Sequence, residues 1–169
     1  MKKTLLLTLV ILSTSWSIAS AQKEKFKALF IFNFTKNVEW SPQVKTGNFV
    51  IGVIGSSAMC AELQTIAQTQ KVGSMPIKVI NCSSPQELEY CHLVYLPSNK
   101  AASLPALLSK TSGKETLVVT DGKNLAAQGS AISFILDGEK LKFEICRRNI
   151  EKHGLKSSMA LANLGIQVD

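Results

Sequence analysis

Apolar residues recur along the chain with two different periods, and these periods predict alternating helices and strands. Within residues 23–39, Phe26, Phe30 and Phe34 fall at helical spacing, which predicts an amphipathic helix. Most such stripes face the core, and that is the expectation here. Further apolar residues widen the stripe beyond one face, and an extra-wide stripe can also serve a dimer contact. Pro42 ends the helix, because the residue before a proline is pushed out of helical geometry.

The other apolar runs are short and bounded by turn residues, as expected for buried strands. The predicted strands are Phe49–Gly55, Met75–Ile80, His92–Leu96, Thr116–Thr120, Ala131–Leu136 and Lys140–Ile145. Helical patterns fill the intervals at Ala58–Gln70, Ala101–Lys110, Asn149–Gly154 and Leu155–Leu164. Asp137-Gly138 between the last two strands is a strong hairpin signal. The pattern therefore predicts a single α/β domain: a mainly parallel sheet, helices on both faces, and an antiparallel C-terminal hairpin at one edge.

The first 21 residues have the layout of a secretory signal peptide. Met1–Lys3 is basic, residues 4–18 are mostly apolar, and Ala19-Ser20-Ala21 offers small residues for cleavage. A membrane anchor is less consistent, because a spanning helix needs about 20 apolar residues. We expect cleavage after Ala21, a mature domain of residues 22–169, and a periplasmic location.

Charge and cysteine content narrow the possible partners. Loss of Lys2 and Lys3 lowers the formal net charge from +7 to +5, and the remaining lysines are too scattered to predict a nucleic-acid surface. This excess of positive charge would suit an acidic partner or membrane headgroups, although ordinary solubility explains it as well.

The four cysteines predict one or two disulfides in an oxidising compartment, with three possible full pairings. They are Cys60, Cys82, Cys91 and Cys146.

No catalytic or metal-binding constellation is evident in the sequence. The turn at residues 52–57 (GVIGSS) could cradle an anion, but it lacks the spacing of a dinucleotide fingerprint and the lysine of a P-loop. His92 and His153 do not form a metal-binding pair, and Asp121 lacks a nucleophile or a second carboxylate beside it. We therefore predict a protein that is not an enzyme and that carries no metal or cofactor.

One polar cluster interrupts the predicted C-terminal hairpin. Glu144 lies inside an apolar strand, and alternation points its side chain away from the face of Phe143 and Ile145. Arg147 and Arg148 follow closely. This cluster is either a solvated face of an edge strand or a polar recognition patch.

Five segments, taken in order, resemble the YfiR-like family across nearly all of the mature chain. They are KALFIFNFTKNVEWSP, FVIGVIG, CHLVYLPSN, LVVTDG and ISFILDGEKLKFEICRRNIEKHGLKSS. The resemblance implies a small periplasmic α/β protein that dimerises and regulates. Such proteins are similar to repressors that bind the periplasmic part of an inner-membrane signalling protein, typically a diguanylate cyclase, until envelope or redox stress releases them.

The resemblance also implies which residues carry function. The matched motif residues are Asn33, Phe34, Lys36, Trp40, Cys91 and His92. The implied partner or ligand patch contains Glu144, Arg147, Arg148, Lys156 and Ser158.

The chain departs from the family pattern at two positions that concern its cysteines. Gly52 stands where the family often has a cysteine, and Cys146 stands where it usually has asparagine. Cys91 is therefore expected to pair differently or not at all. Cys60 with Cys82 is the expected disulfide, since both should lie near the carboxyl ends of neighbouring strands, whereas Cys82 and Cys91 should lie near opposite ends.

Taken together, the sequence predicts a homodimeric regulatory binding protein that docks on the periplasmic domain of an inner-membrane signalling protein. That partner would be a cyclase or a histidine kinase. The alternative is a small-molecule sensor or solute-binding protein, with a pocket near Glu144 or the strand ends.

Overall fold

The computed structural model describes residues 22–169, so the predicted signal peptide lies outside the described residues. The helices are α1 (residues 22–37), α2 (Ser57–Ala67), α3 (Leu104–Thr111), α4 (Arg147–Lys152) and α5 (Met159–Leu164). The strands are β1 (Val38–Glu39), β2 (Phe49–Ile54), β3 (Lys71–Val72), β4 (Met75–Cys82), β5 (Leu93–Leu96), β6 (Leu117–Asp121), β7 (Ile132–Asp137), β8 (Lys140–Ile145), β9 (Lys156–Ser157) and β10 (Ile166–Gln167). Short 3-10 turns lie at Pro42–Val44, Pro85–Glu87 and Ser98–Ser103.

Eight strands form one curled, mixed sheet in the order β10-β8-β7-β6-β5-β2-β4-β3. The five central strands, β4, β2, β5, β6 and β7, are parallel to one another. β8 closes an antiparallel hairpin on β7, with Gly138 in the turn at a φ of 60° that favours glycine. β10 adds to β8 in parallel, and β3 adds to β4 in antiparallel fashion. The predicted fold class is confirmed.

Strand alternation divides the interior into two layers on opposite faces of the sheet. Along β5, Leu93 and Tyr95 pack in the layer that contains α1 and α2, whereas Val94 and Leu96 pack in the layer that contains α3. α1 covers its layer with aromatic side chains, and Phe34 is fully buried there. Helices therefore cover both faces, as predicted.

Local signals explain where α2 and α5 begin. The Ser56 hydroxyl accepts a hydrogen bond from the Met59 N–H at 3.3 Å, and the Ser158 hydroxyl accepts one from the Leu161 N–H at 3.1 Å. Both serines are N-caps, which satisfy backbone donors that the first helical turn leaves free.

The predicted continuous helix at Leu155–Leu164 is wrong in its first part. Residues 156 and 157 form β9, which pairs antiparallel with β1, and α5 begins only at Met159. The Ser158 N–H donates to the Asn37 carbonyl at 2.8 Å, so the chain is held in extended form against the end of α1. This long-range pairing overrides a local pattern that by itself favours a helix.

Candidate functional site

Glu144 is the central residue of the predicted patch, and the structure buries it. Its residue is only 7% exposed, and its side chain leaves the sheet on the face opposite Phe143 and Ile145. Oε1 accepts a long hydrogen bond of 3.5 Å from the Asn124 N–H. Within residues 22–169, the buried Oε2 has no hydrogen-bond partner. A buried carboxylate oxygen without a donor is costly, so Glu144 has capacity to accept a further hydrogen bond.

Two neighbouring strands and one loop enclose Glu144. β10 covers one side, where Ile166 is its register partner, and Ser133 of β7 is its partner on the other. The loop after β6 approaches its side chain through Asn124, which has a left-handed backbone with φ 62°. The solvated edge strand considered from sequence is therefore wrong at Glu144.

Asn149 fixes that loop and was not identified from the sequence. Its Nδ2 donates to the Ala126 carbonyl at 2.8 Å and to the Ser130 carbonyl at 2.9 Å. Both carbonyls belong to buried residues, so the amide supplies donors where water is excluded; the Ala126 carbonyl also accepts from the Gly129 N–H at 3.1 Å. No sequence pattern identifies an asparagine that donates hydrogen bonds to the carbonyls of a distant loop.

The basic members of the predicted patch lie at the surface. Arg147, Arg148 and Lys156 are exposed. Arg147 approaches Glu151 at 3.9 Å, a distance at which an exposed pair contributes little. The structure thus places the buried carboxylate of Glu144 near the end of β8, and the two exposed arginines in the first turn of α4, which follows β8 in the chain.

Ser158 has a structural function in this protein. Besides capping α5, its hydroxyl donates to Asn37 Oδ1 at 2.9 Å. The Asn37 Nδ2 in turn donates to the Asn33 carbonyl at 3.0 Å. Ser158 therefore joins the last helix to the end of α1, and its hydrogen bonds do not lead to Glu144.

The motif residues of α1 divide into core and surface positions. Phe34 packs between Phe134, at a ring-centroid distance of 5.7 Å, and Phe143, at 5.0 Å. Lys36 lies on the surface with its ammonium 4.3 Å from the centroid of the Phe32 ring. Asn33 is exposed.

Trp40 and His92 hold the opposite end of the sheet. The Trp40 indole N–H donates to the Glu115 carbonyl at 3.1 Å. His92 Nδ1 accepts from the Val50 N–H at 3.0 Å, so Nε2 carries the proton and donates to the Val44 carbonyl at 2.7 Å. Burial lowers the pKa of His92 below its ordinary value, which keeps the ring neutral. His92 thus joins two backbone segments at this end of the sheet.

All four cysteines lie in the described part of the chain, and each is a buried free thiol. The expected Cys60–Cys82 disulfide is absent from this structure, and the two residues pack in the layers on opposite faces of the sheet. Cys82 and Cys91 share the α3 layer instead. Burial raises the pKa of Cys91 to about 12, so its thiol is protonated at neutral pH.

A comparison with known protein families places these features in context. The profile described as YfiR/HmsC-like matches residues 24–165. The chain belongs to the YfiR/HmsC-like family. YfiR/HmsC-like proteins are periplasmic, act as regulators in the diguanylate cyclase pathway, and are not known enzymes.

Other comparisons bear on the fold of this YfiR/HmsC-like protein. The solved structure of the ABC domain in complex with L-Trp from Streptococcus pneumonia is similar, with a TM-score of 0.51 and 12% identity over 71% of the present chain. The chain spans 55% of that domain's length, and at this identity the likeness concerns the fold alone. No curated protein sequence matches the chain significantly. Among residues 22–169, no helix has the length and apolar character to cross a membrane.

Proposed function

We propose that this protein is exported by a signal peptide at residues 1–21 and that the mature domain, residues 22–169, restrains an inner-membrane signalling protein by binding its periplasmic domain. The observation that carries the proposal is the family match over residues 24–165, which spans nearly the whole mature domain. A diguanylate cyclase is the expected partner, because the family regulates that pathway.

The surface that we assign to the partner combines the two arginines with exposed apolar residues. We call it the C-terminal face and define it by Arg147, Arg148, Met159, Leu164 and Ile166. The three apolar side chains are all exposed, and Leu164 reaches 74%. Arginine and large apolar side chains are enriched at the energetic centres of protein interfaces.

The position of the arginines supports a binding function over a stabilising one. They occupy the first turn of α4, where backbone N–H groups make positive charge unfavourable by roughly 0.3–1 kcal/mol per charge. A fold optimised for stability alone would place acidic residues there. Two cations at this position would complement a partner whose docking surface is acidic, and would speed its encounter.

We further propose a homodimer that uses the outer side of α1. Phe26 is 50% exposed and Leu29 is also exposed, although both belong to the apolar stripe of that helix. Large apolar side chains side by side on one helix are a common element of dimer interfaces, and a second copy would cover them.

Affinity capture from detergent-solubilised native envelopes, followed by mass spectrometry, tests the regulatory proposal. We expect to recover one inner-membrane protein with a cyclase domain. Recovery of a histidine kinase would support the same mode of binding but assign the protein to a different signalling pathway. The doubly substituted Arg147→Glu/Arg148→Glu variant should lose the partner while keeping its thermal stability. Lys45→Glu/Lys71→Glu, at two exposed lysines elsewhere, is the charge-matched control and should retain it. Equal recovery with both variants would refute the C-terminal face, and repeated failure of the wild type would refute the regulatory proposal.

A further inference from the structure

A cavity of about 370 Å³ lies at the carboxyl ends of the parallel strands, and its lining shares no residue with the C-terminal face. The register explains how it forms. The last residue of β6, Asp121, pairs with Phe134 of β7, so β7 continues beyond the end of β6 and its hairpin stands as a wall. The N-terminal part of α1, including Lys23 and Lys27, forms the opposite wall. In open α/β sheets, ligands bind at this edge.

A buried polar network forms the floor of the cavity. Lys27 is only 8% exposed, and its ammonium donates to Asp121 Oδ2 at 2.6 Å and to Glu24 Oε1 at 2.9 Å. The buried Tyr95 hydroxyl donates to the same Asp121 oxygen at 3.4 Å. Burial by itself would lower the pKa of Lys27, but these carboxylates outweigh it and the pKa is raised. The floor is thus a rigid, charged arrangement at the end of the central strands.

Two further lysines at the cavity lie outside the ion pairs of the described residues. Lys23 and Lys123 both line the cavity and are exposed. Within residues 22–169, the ion pairs of the structure involve neither of them. The third lysine of the lining, Lys27, is already neutralised by Asp121 and Glu24. The exposed charge at the cavity is therefore that of Lys23 and Lys123, which favours an anion over a cation.

The hairpin wall of the cavity is apolar. Leu136 and Leu141 are directly opposite each other in the β7–β8 register, so their side chains lie on the same face. Leu136 is 51% exposed although it extends the row of the buried Phe134. An apolar group packed against these leucines would remove their surface from water, at about 25 cal/mol per Å².

We propose that this cavity binds a small organic anion, a carboxylate with an apolar chain or ring, whose charge lies between Lys23 and Lys123 and whose apolar part packs on Leu136 and Leu141. The cavity volume is within the range of small-molecule sites. The site is separate from the proposed partner surface, so it stands or falls independently of the regulatory function.

Calorimetric titration of the purified protein with defined acids tests the site. The probes are octanoate and 3-phenylpropionate, each compared with its neutral amide. An acid should bind at least about five-fold more tightly than its amide, and its affinity should fall as salt is raised, because the contribution is electrostatic. Preference for octanoate would point to an acyl-chain ligand of lipid origin, and preference for 3-phenylpropionate to an aromatic acid. No saturable binding of either acid, or equal affinity for acid and amide, would overturn the proposal.

Variants at exposed positions localise the binding without threatening the fold. Lys23→Gln/Lys123→Gln should weaken binding of the preferred acid about five-fold, and Leu136→Ser about three-fold. The controls are Lys25→Gln/Lys71→Gln and Leu164→Ser, which change exposed residues outside the cavity lining and should leave the affinity for the acid unchanged. Equal loss in the control and cavity variants would overturn the assignment of this site.

Discussion

Gly52 lies close enough to the Cys91 thiol that a cysteine at this position should form a disulfide. A Cβ atom built on Gly52 would lie 3.0 Å from Cys91 Sγ. That separation is about the distance from a Cβ to the far sulfur in a disulfide, given an S–S bond of roughly 2.04 Å. The Gly52 backbone has no positive φ, so it can accept a side chain without backbone strain. We therefore expect Gly52→Cys to bond with Cys91 on mild oxidation.

The expected stabilisation follows from the loop that the bond would close. Linking positions 52 and 91 removes about 4 kcal/mol of unfolded-state freedom for a loop of about 40 residues. The new Cβ would also lie 2.9 Å from Leu88 Cδ2, a flexible side-chain end that must move. Allowing about 1 kcal/mol for that adjustment leaves about 3 kcal/mol. For a domain of this size, that corresponds to a rise in Tm of about 10 °C.

Thiol titration under denaturing conditions and thermal unfolding, with and without reductant, measure this outcome. The wild-type chain contributes four free thiols; the variant adds one, and oxidation should remove a pair. Gly52→Ala reproduces the contact with Leu88 without a thiol and should be slightly destabilised. Gly52→Cys/Cys91→Ser should show no gain on oxidation. If oxidised Gly52→Cys keeps all its thiols, or forms the bond without a rise in Tm, the geometry inferred around Cys91 is wrong.

Three other substitutions or conditions test the packing and electrostatics. Asn149→Ala should lower the free energy of unfolding by about 2 kcal/mol in urea titrations, because it removes two hydrogen bonds and leaves the buried Ser130 carbonyl without this donor; a loss no larger than that of the exposed control Asn33→Ala would contradict this. Phe34→Ala should lower the free energy of unfolding by about 3–5 kcal/mol, because Phe34 is fully buried, whereas Phe26→Ala should lower it by under about 1 kcal/mol. Phe26→Ala should instead weaken self-association, measured by analytical ultracentrifugation, and an unchanged sedimentation profile would argue against the α1 dimer. Burial lowers the folded-state pKa of both His92 and His153, so the unfolded chain takes up protons first as pH falls below about 6.5. Stability should therefore be constant above about pH 7 and fall toward pH 5, and a His92→Gln/His153→Gln variant should show a flatter profile; equal slopes would refute the assignment.

The elements predicted correctly are those with a local signal long enough to show a period. α1 and the β7–β8 hairpin are examples, because a helical stripe and an Asp-Gly turn each identify one structure. β1, β3, β9 and β10 escaped prediction, and the sequence pattern places the residues of β1 in the first helix. Each has two residues, too few for any period, and each exists only because a partner strand lies beside it.

The sequence predicted which face of the sheet the Glu144 side chain points to, but not that this side chain is buried. Alternation gave the correct face for Glu144, but β10 and the Asn124 loop, which bury it, come from other parts of the chain.

The prediction of a Cys60–Cys82 disulfide was wrong for a related reason. Both residues were placed at the correct end of the sheet, but the sequence did not show that Cys60 in α2 and Cys82 in β4 face opposite layers.

The aromatic contacts of α1 have a consequence for how the chain acquires its structure. Phe34 is near the start of the described residues, but its partners Phe134 and Phe143 belong to the last hairpin. During synthesis, or during the export proposed above, a chain that emerges with its N-terminus first would expose the apolar stripe of α1 until the hairpin follows. Folding dominated by such distant contacts is slow and leaves partly folded chains open to aggregation. We therefore expect a chaperone that covers exposed apolar helices to raise the yield of folded protein, and the α1 stripe to be the surface that it recognises.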